Sequence, residues 1–200
     1  MTIRIYGMPL SPNVRKPLAV AAHLGIAVEL TPCRPDDPAL RDVNPMGRIP
    51  AMDDDGFTLG ESNAILLHLA AKKANSLYPD DQRARSEIHQ FLLWDVAHWT
   101  PSYQPIQFER MVKGLLNMGP PDETVVAATL EKFAREAGYL NARLKDRDFL
   151  VGKGPTLADF AVAAGLTHAR AIDLPLKDHP NVEAWNRRVM DLDGFRKTAG

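Results

Sequence analysis

The chain has few cysteines, almost no net charge and no long apolar run, and each of these absences excludes a class of protein. Its 200 residues include one cysteine, Cys33, so no internal disulfide can form, and a single thiol is typical of a reducing compartment. Lysine and arginine number 24 against 25 aspartate and glutamate, and a net charge of −1 offers no basic field to nucleic acid or an anionic membrane. No apolar run approaches the ~18–20 residues of a membrane span. We therefore expect a cytoplasmic protein that binds neither nucleic acid nor membranes.

The overall composition is that of an ordinary globular protein. Hydrophobic residues make up 45% and charged residues 24%, which excludes disorder as the dominant state. A chain of this length buries roughly 70% of its unfolded surface and needs no disulfide or metal to remain folded. The six histidines show no chelating spacing with an acid nearby, so we expect no metal site.

Strand and helix signals divide the chain into two parts. The strand-like runs lie at residues 3–6, 27–31, 49–52 and 57–59. The helical patterns lie at 14–24 and 62–73, and then at 83–99, 123–144, 157–171 and 182–192. A crossover helix makes the first two strands parallel, and an Asp-Gly tip makes the last two a hairpin. We predict an α/β domain over 1–76, a linker over 77–81 and an all-helical domain over 82–200.

Four short segments carry a more specific pattern. They read GMPLSPNVRK at 7–16, NPMGRIPA at 44–51, GESNAI at 60–65 and TLADF at 156–160. In this order they resemble the cytosolic glutathione S-transferase superfamily, and most of all its bacterial serine-type members near the theta and delta classes. The resemblance implies a thioredoxin-like N-terminal domain of βαβ-ββα order, an all-helical C-terminal domain, glutathione as co-substrate, no metal and a homodimer.

The resemblance makes Ser11 the residue that contacts the glutathione thiol. Lowering a thiol pKa by two units takes about 2.7 kcal/mol. One hydrogen bond to a charged group supplies roughly 1.5–3 kcal/mol and a helix N-terminus roughly 0.3–1 kcal/mol. A Ser11 that merely caps the helix is the alternative. Pro17 favours Asn13 as the cap, because capping by Ser11 puts this proline in the helix interior at a cost of ~3 kcal/mol. Asn13 is then the second candidate for the thiol contact.

The resemblance assigns the rest of glutathione to three further places. A cis bond between Ile49 and Pro50 presents the Ile49 backbone to the cysteinyl moiety, the alternative being a proline that begins a strand. Glu61 and Ser62 open a helix and hold the γ-glutamyl group, the alternative being an ordinary helix start. Asp95 reaches across the dimer to the same amine, or is a solvated acid on a helix.

The sequence departs from related enzymes where the glycyl carboxylate is held. Arg34 and Arg48 are the candidates for this contact, but Asp36 and Asp37 repel a carboxylate if they lie close to it. Weak or altered glutathione binding is therefore an open alternative. Cys33, in the same stretch, is interpreted as a packed or idle thiol rather than a redox group.

An electrophile pocket is expected from apolar and aromatic residues on both domains. The candidates are Met8, Leu10, Trp94, His98, Trp99, Tyr103 and Phe108. The same residues equally fit a core or a dimer interface. Pro101 and Pro105 are expected to break the helix after Trp99 and leave this wall irregular. Thr156 and Asp159 form a capping-box pattern, which we interpret as structural.

The leading hypothesis is a homodimeric glutathione transferase that conjugates the thiolate to small apolar electrophiles. Glutathione-dependent reduction of disulfides or peroxides is a second enzymatic hypothesis, since the same thiolate can attack sulfur or oxygen. A third is a non-catalytic interaction module on a transferase fold. Glutathione affinity distinguishes the module from the enzymes, and a disulfide substrate distinguishes the two enzymes.

Overall fold

Four short strands form one mixed sheet in the first part of the chain. The computed structural model describes residues 2–198. The strands are β1 (Ile3–Tyr6), β2 (Val28–Thr31), β3 (Ala51–Asp54) and β4 (Phe57–Leu59), in the spatial order β2-β1-β3-β4. β1 is parallel to β2, and β3 is antiparallel to both β1 and β4. The Asp55-Gly56 tip joins β3 to β4 with positive φ at both residues, as a tight hairpin turn requires. The predicted fold class is confirmed.

Three helices accompany the sheet. They are α1 (Pro12–Leu24), α2 (Pro38–Arg41) and α3 (Ser62–Ala71). Ser11, in an extended conformation, is the N-cap of α1, so the prediction that Asn13 caps this helix is wrong. Pro17 is buried inside α1, and the helix continues past it to Leu24. α1 packs against α3 and against helices of the second part of the chain, and this burial offsets the helical hydrogen bond that the proline cannot donate.

The second part of the chain is helical. Its helices are α4 (Gln82–Trp94), α5 (Thr100–Gln107), α6 (Lys113–Leu115), α7 (Glu123–Arg143), α8 (Leu157–Ala164), α9 (Pro180–Met190) and α10 (Asp193–Arg196). Two π-helical turns, Asp95–Trp99 and Phe108–Val112, join α4, α5 and α6 into one continuous helical run. The expected break at Pro101 and Pro105 is therefore wrong. Pro101 lies in the first turn of α5, where a missing N–H costs little, and the helix continues past Pro105 to Gln107.

α8 is shorter than its sequence pattern suggests. It ends at Ala164, and turns follow over 165–173 instead of the predicted continuation to 171. The capping box at its start is present: the Asp159 carboxylate accepts hydrogen bonds from the Thr156 backbone N–H at 2.8 Å and from the Thr156 hydroxyl at 3.0 Å. The same carboxylate accepts a hydrogen bond from Trp185 Nε1 at 2.8 Å, so it ties α8 to α9.

The hydrophobic core runs without interruption from the sheet into the helical part. α1 lies between the two, with Val14, Ala19 and Val20 fully buried, and it contacts α3, α8 and α10. Leu77, in the predicted linker, is also fully buried, and its carbonyl accepts a hydrogen bond from the Leu157 N–H at 3.0 Å. The exact domain limits stay a prediction. Within residues 2–198, no helix is long and apolar enough to cross a membrane.

Candidate active site

The sheet topology brings four of the predicted glutathione segments to one edge. Tyr6, the last residue of β1, pairs with Thr31 at the end of β2 and with Ala51 at the start of β3. Leu59, at the end of β4, pairs with Met52. The loop to α1, the segment after β2, the Ile49–Pro50 bond and the start of α3 therefore all leave the sheet at this edge, which is a common position for a ligand site in α/β folds.

Ser11 occupies the turn between β1 and α1. Its backbone N–H donates to the Met8 carbonyl at 3.0 Å, and its own carbonyl accepts from the N–H groups of Val14 at 3.0 Å and Arg15 at 2.9 Å. The backbone thus caps the helix, whereas the Ser11 hydroxyl makes no capping hydrogen bond within the described chain. The side chain is half-buried and stands at a helix N-terminus, where an anion is stabilised by the helix dipole.

Asn13 is the second residue of α1 and lies in its first turn. Its amide oxygen Oδ1 is buried and has no hydrogen-bond partner among the described residues. Sequence reasoning placed this side chain at the helix cap, and the structure instead puts Ser11 there. A contact of either side chain with the thiol stays a prediction.

The Ile49–Pro50 bond is cis, as the resemblance implied. Asn44 holds the loop before it: its Nδ2 donates to the Arg48 carbonyl at 2.8 Å, and its Oδ1 accepts from the Met46 N–H at 3.2 Å. Ile49 is half-buried and Pro50 is buried. The contact of the Ile49 backbone with glutathione remains a prediction.

Glu61 and Ser62 form the start of α3. Glu61 is exposed and is the N-cap residue, with φ of 62°, a conformation that costs a non-glycine residue about 1–3 kcal/mol and is concentrated at functional sites. Ser62 is the first residue of the helix and is mostly buried. A carboxylate is favoured at such a helix N-terminus, because its first N–H groups have no partner inside the helix.

In the segment after β2, one of the two acids expected to repel the glycyl carboxylate of glutathione is paired with an arginine. Asp36 forms an ion pair with Arg41 at 2.6 Å, and Asp37 accepts a hydrogen bond from the Ala39 N–H at 3.0 Å as the N-cap of α2. Arg41 therefore offsets the charge of Asp36, whereas the hydrogen bond to Asp37 leaves its negative charge in place. Arg34 and Arg48 are exposed, and their role with the glycyl carboxylate stays a prediction.

Asp95 does not have the role predicted for it. It is fully buried, and its Oδ2 atom lies 2.5 Å from Lys16 Nζ and 3.0 Å from Asn63 Nδ2. The Thr100 hydroxyl donates to the other oxygen at 3.2 Å. A carboxylate held in this way is neither solvated nor able to reach a partner subunit, so both interpretations of Asp95 are wrong. The π turn that begins at Asp95 directs this side chain inward, towards α1 and α3.

Two of the predicted pocket residues belong to the core. Trp99 is fully buried and donates from Nε1 to the Val162 carbonyl at 3.0 Å, and Tyr103 is 1% exposed. Burial and the charge of Asp95 raise the pKa of the Tyr103 hydroxyl. Their assignment to the electrophile pocket is wrong, because the helical run is continuous and turns these rings inward. Trp94 is half-buried, stacks on Trp99 and donates from Nε1 to Glu136 at 3.2 Å.

The other pocket candidates reach the surface. Leu10 is 46% and Phe108 is 38% exposed, Met8 is half-buried, and His98 is exposed on the π turn.

Cys33 is half-buried, and burial together with nearby Asp37 raises the pKa of its thiol, which keeps it protonated near neutrality. Within residues 2–198, no group of three or more histidine, cysteine or acidic side chains could hold a metal ion.

Sequence reasoning missed several residues that support this site. They are Arg15, Lys16, Arg41, Asn63, Thr167 and His168. Lys16 carried a signal, since it is a cation within the otherwise apolar pattern of α1 and therefore needs a buried acid. Thr167 and His168 carried none, because their contacts are made with residues more than 150 positions away.

Comparison with known proteins identifies the family of both parts of the chain. The family described as "Glutathione S-transferase, N-terminal domain" matches residues 5–77, and "Glutathione S-transferase, C-terminal domain" matches residues 100–193. Glutathione S-transferase 3 of Zea mays is 34% identical over 98% of this chain and 92% of its own length. Glutathione S-transferase theta-1 of Mus musculus is 39% identical over 74% of this chain and 63% of its own length.

Solved structures agree as well. Glutathione S-transferase I bound to lactoylglutathione superposes with a TM-score of 0.90 at 25% identity, covering 98% of each chain. A glutathione S-transferase from Rhodospirillum rubrum F11 gives 0.89 at 25% identity, covering 98% of this chain and 91% of that one. The fold and the two family matches thus define a two-part glutathione S-transferase. The chain belongs to the glutathione S-transferase family and is a transferase, which confirms the resemblance found in its sequence.

Proposed function

We propose that this transferase conjugates the thiolate of glutathione to small apolar electrophiles, with Ser11 stabilising the thiolate. The observation that carries the proposal is the Ser11 turn: the backbone caps α1 while the hydroxyl makes no capping hydrogen bond within residues 2–198. That hydroxyl is the kind of donor a thiolate needs. The lactoylglutathione bound to one structural neighbour supports glutathione chemistry for a protein of this fold.

The chemistry needs no covalent intermediate on the protein. The glutathione thiol releases its proton to solvent, and the Ser11 O–H then donates a hydrogen bond to the sulfur anion. Together with the N-terminus of α1, this hydrogen bond lowers the thiol pKa by roughly two units. With an aromatic chloride, the sulfur forms a bond to the ring carbon, and the carbon–chlorine bonding pair leaves with chloride.

The electrophile is proposed to approach from the helical side of the edge. Leu10 and Phe108 are apolar and exposed, and Met8 is half-buried. Met8 and Leu10 belong to the loop that carries Ser11, and apolar side chains beside the proposed thiolate favour apolar substrates. With Trp99 and Tyr103 in the core, fewer of the predicted residues are free to line an electrophile pocket.

A homodimer is part of the proposal. Leu93 is 68% and Val96 is 45% exposed, and three residues apart they share one helical face. Arg85, on the same helix, folds back on its own chain, with its guanidinium 4.5 Å from the Tyr78 ring centroid and 2.5 Å from Asp80. Sedimentation of the wild type and of Leu93→Glu tests the interface, which the substitution should disrupt.

Calorimetric titration with reduced glutathione, followed by conjugation of an aromatic chloride, tests the proposed activity. We expect micromolar to low millimolar affinity, and Ser11→Ala should lower kcat about 10–100-fold by removing roughly 1.5–3 kcal/mol of thiolate stabilisation. Ser76→Ala is the matched control, since Ser76 is an exposed serine in the segment between α3 and α4, away from the Ser11 turn. No binding up to about 10 mM would refute the proposal. Full activity of Ser11→Ala would refute the role of Ser11 and favour Asn13.

A further inference from the structure

The loop that carries Ser11 has little internal support. The Ser11 N–H bond to the Met8 carbonyl closes it as a single turn. Pro9 is exposed, and Leu10 is 46% exposed, so the outer surface of the loop is not packed. A hydroxyl must be held within about 0.5 Å of its productive position to stabilise a transition state well. The position of Ser11 therefore depends on contacts from outside the loop.

One such contact comes from the helical domain. Nε2 of His168 lies 2.8 Å from the carbonyl oxygen of Leu10, the residue directly before Ser11. A carbonyl oxygen accepts hydrogen bonds and cannot donate them, so His168 must carry a proton on Nε2. The bond joins positions 158 residues apart and fixes the peptide that leads into the Ser11 turn.

Thr167, the residue directly before His168, makes a second contact on the other side of Ser11, with Arg15. Arg15, in the first turns of α1, donates from Nη1 to the Thr167 hydroxyl at 3.2 Å and from Nη2 to the Phe195 carbonyl at 3.1 Å. Its guanidinium also lies over the Phe195 ring, 5.3 Å from the centroid. Thr167 and His168 together thus contact the chain before and after Ser11.

The segment that bears these two residues is itself anchored. Leu166 and Ala169, on either side of them, are buried, and the Thr167 hydroxyl donates to the Ala164 carbonyl at 2.7 Å. Gly165 allows the segment to lie against Tyr103, since a Cβ at this position would come within 2.6 Å of the Tyr103 ring. Because residues 165–169 are held in place by these contacts, they can hold the exposed loop that carries Ser11.

We infer that His168 is a positioning residue for the reaction, holding Ser11 at the thiolate through the Leu10 carbonyl. The inference rests on the proposed function, because it assumes that Ser11 acts on glutathione. His168 itself touches neither glutathione nor the electrophile in this arrangement.

Two amide substitutions test the inference. The glutamine amide nitrogen lies about as far along the side chain as Nε2, whereas that of asparagine lies about where Nδ1 does. His168→Gln should therefore keep a donor to Leu10, and His168→Asn should lose it. His89→Asn is the matched control, since His89 is an exposed histidine that forms a 2.8 Å bond with the Tyr78 hydroxyl. His89 shares a helical face with Leu93, so sedimentation must first show that this variant keeps the wild-type assembly. Circular dichroism establishes that each variant is folded.

The readouts are the pKa of bound glutathione, from thiolate absorbance, and the separate values of kcat and KM. In His168→Asn we expect kcat to fall about 5–20-fold with the glutathione KM changed less than about threefold, since Ser11 is displaced while the α3 contacts remain. The thiol pKa should rise in the same variant, and the Ser11 amide should exchange faster with deuterated water. His168→Gln should recover most of the kcat, and His89→Asn should match the wild type.

The outcomes separate this inference from the proposed function. If the wild type forms the thiolate and His168→Asn has the same thiol pKa, kcat and amide exchange rate, the positioning role alone is overturned. Equal losses in His168→Gln and His168→Asn also overturn it, because the donor then does not matter. A wild type that binds no glutathione, or binds it only as the thiol, overturns the proposed function and this inference with it.

Discussion

Replacing either member of the buried Lys16–Asp95 pair should destabilise the protein severely. Both side chains are 0% exposed, and Nζ lies 2.5 Å from Oδ2. Lys16 belongs to α1 beside the sheet, whereas Asp95 begins the π turn of the helical part, so the pair joins the two parts of the chain. Asn63, at the start of α3, donates to the same carboxylate at 3.0 Å.

The expected magnitude follows from the burial. Lys16→Met leaves an uncompensated carboxylate, and Asp95→Leu leaves an uncompensated ammonium, so each should lower the free energy of unfolding by about 3–5 kcal/mol. The double variant removes both charges and should recover most of that loss. Asn63 and Thr100, which also bond Asp95, each keep another partner in the double variant, which limits the residual cost.

Urea unfolding, followed by tryptophan fluorescence and by circular dichroism, measures the effect. We expect a coupling energy of at least about 2 kcal/mol in the double-mutant cycle. The exposed Arg4–Glu29 pair, at 3.8 Å, is the matched control, and its cycle should give less than about 1 kcal/mol. Additive single losses below about 1 kcal/mol would refute the reasoning, because the pair would then not be a desolvated ion pair.

Three further outcomes are expected. Glu61→Ala should raise the glutathione KM far more than it lowers kcat, and the reverse split in steady-state kinetics would exclude Glu61 as a binding residue. Asp159→Asn should lower the free energy of unfolding by roughly 2–4 kcal/mol, because one amide oxygen cannot accept the hydrogen bonds that its carboxylate now accepts; an unchanged urea midpoint would contradict this. Hydrogen bonds from Lys72 and His68 lower the pKa of Asp54 below 3.8, so its stabilisation is present above that pH and is lost as the pH falls through the lowered value. Asp54→Asn should therefore be less stable than the wild type at pH 7 by about 1 kcal/mol after solvent screening, with a gap that closes in acid; a gap independent of pH would disprove the ionic origin.

The helix termini show how far local sequence decides the structure. The Asp55-Gly56 hairpin and the Thr156–Asp159 capping box follow from residue types a few positions apart, and both are present. Pro17 misled the assignment of the first cap, since helix propensity disfavours an interior proline. Packing of α1 on three other helices outweighed that local cost.

The candidate site was predictable where it depends on continuous segments. Ser11, the cis Ile49–Pro50 bond and the start of α3 were all located by short motifs. Asp95 was misjudged because an acid on a helix has no local signal of burial. Its surroundings depend on a π turn and on Lys16, 79 residues earlier in the chain.

The sequence by itself determined the family, the strand and helix order, and the segments that meet at the Ser11 edge of the sheet, because these depend on local patterns of residue type. The tertiary structure alone decided that Trp99 and Tyr103 lie in the core, that Asp95 is paired inside the protein, and that His168 supports the Ser11 loop. Those facts depend on which helix faces which, and the free energy that selects the packing is shared among side chains far apart in the chain.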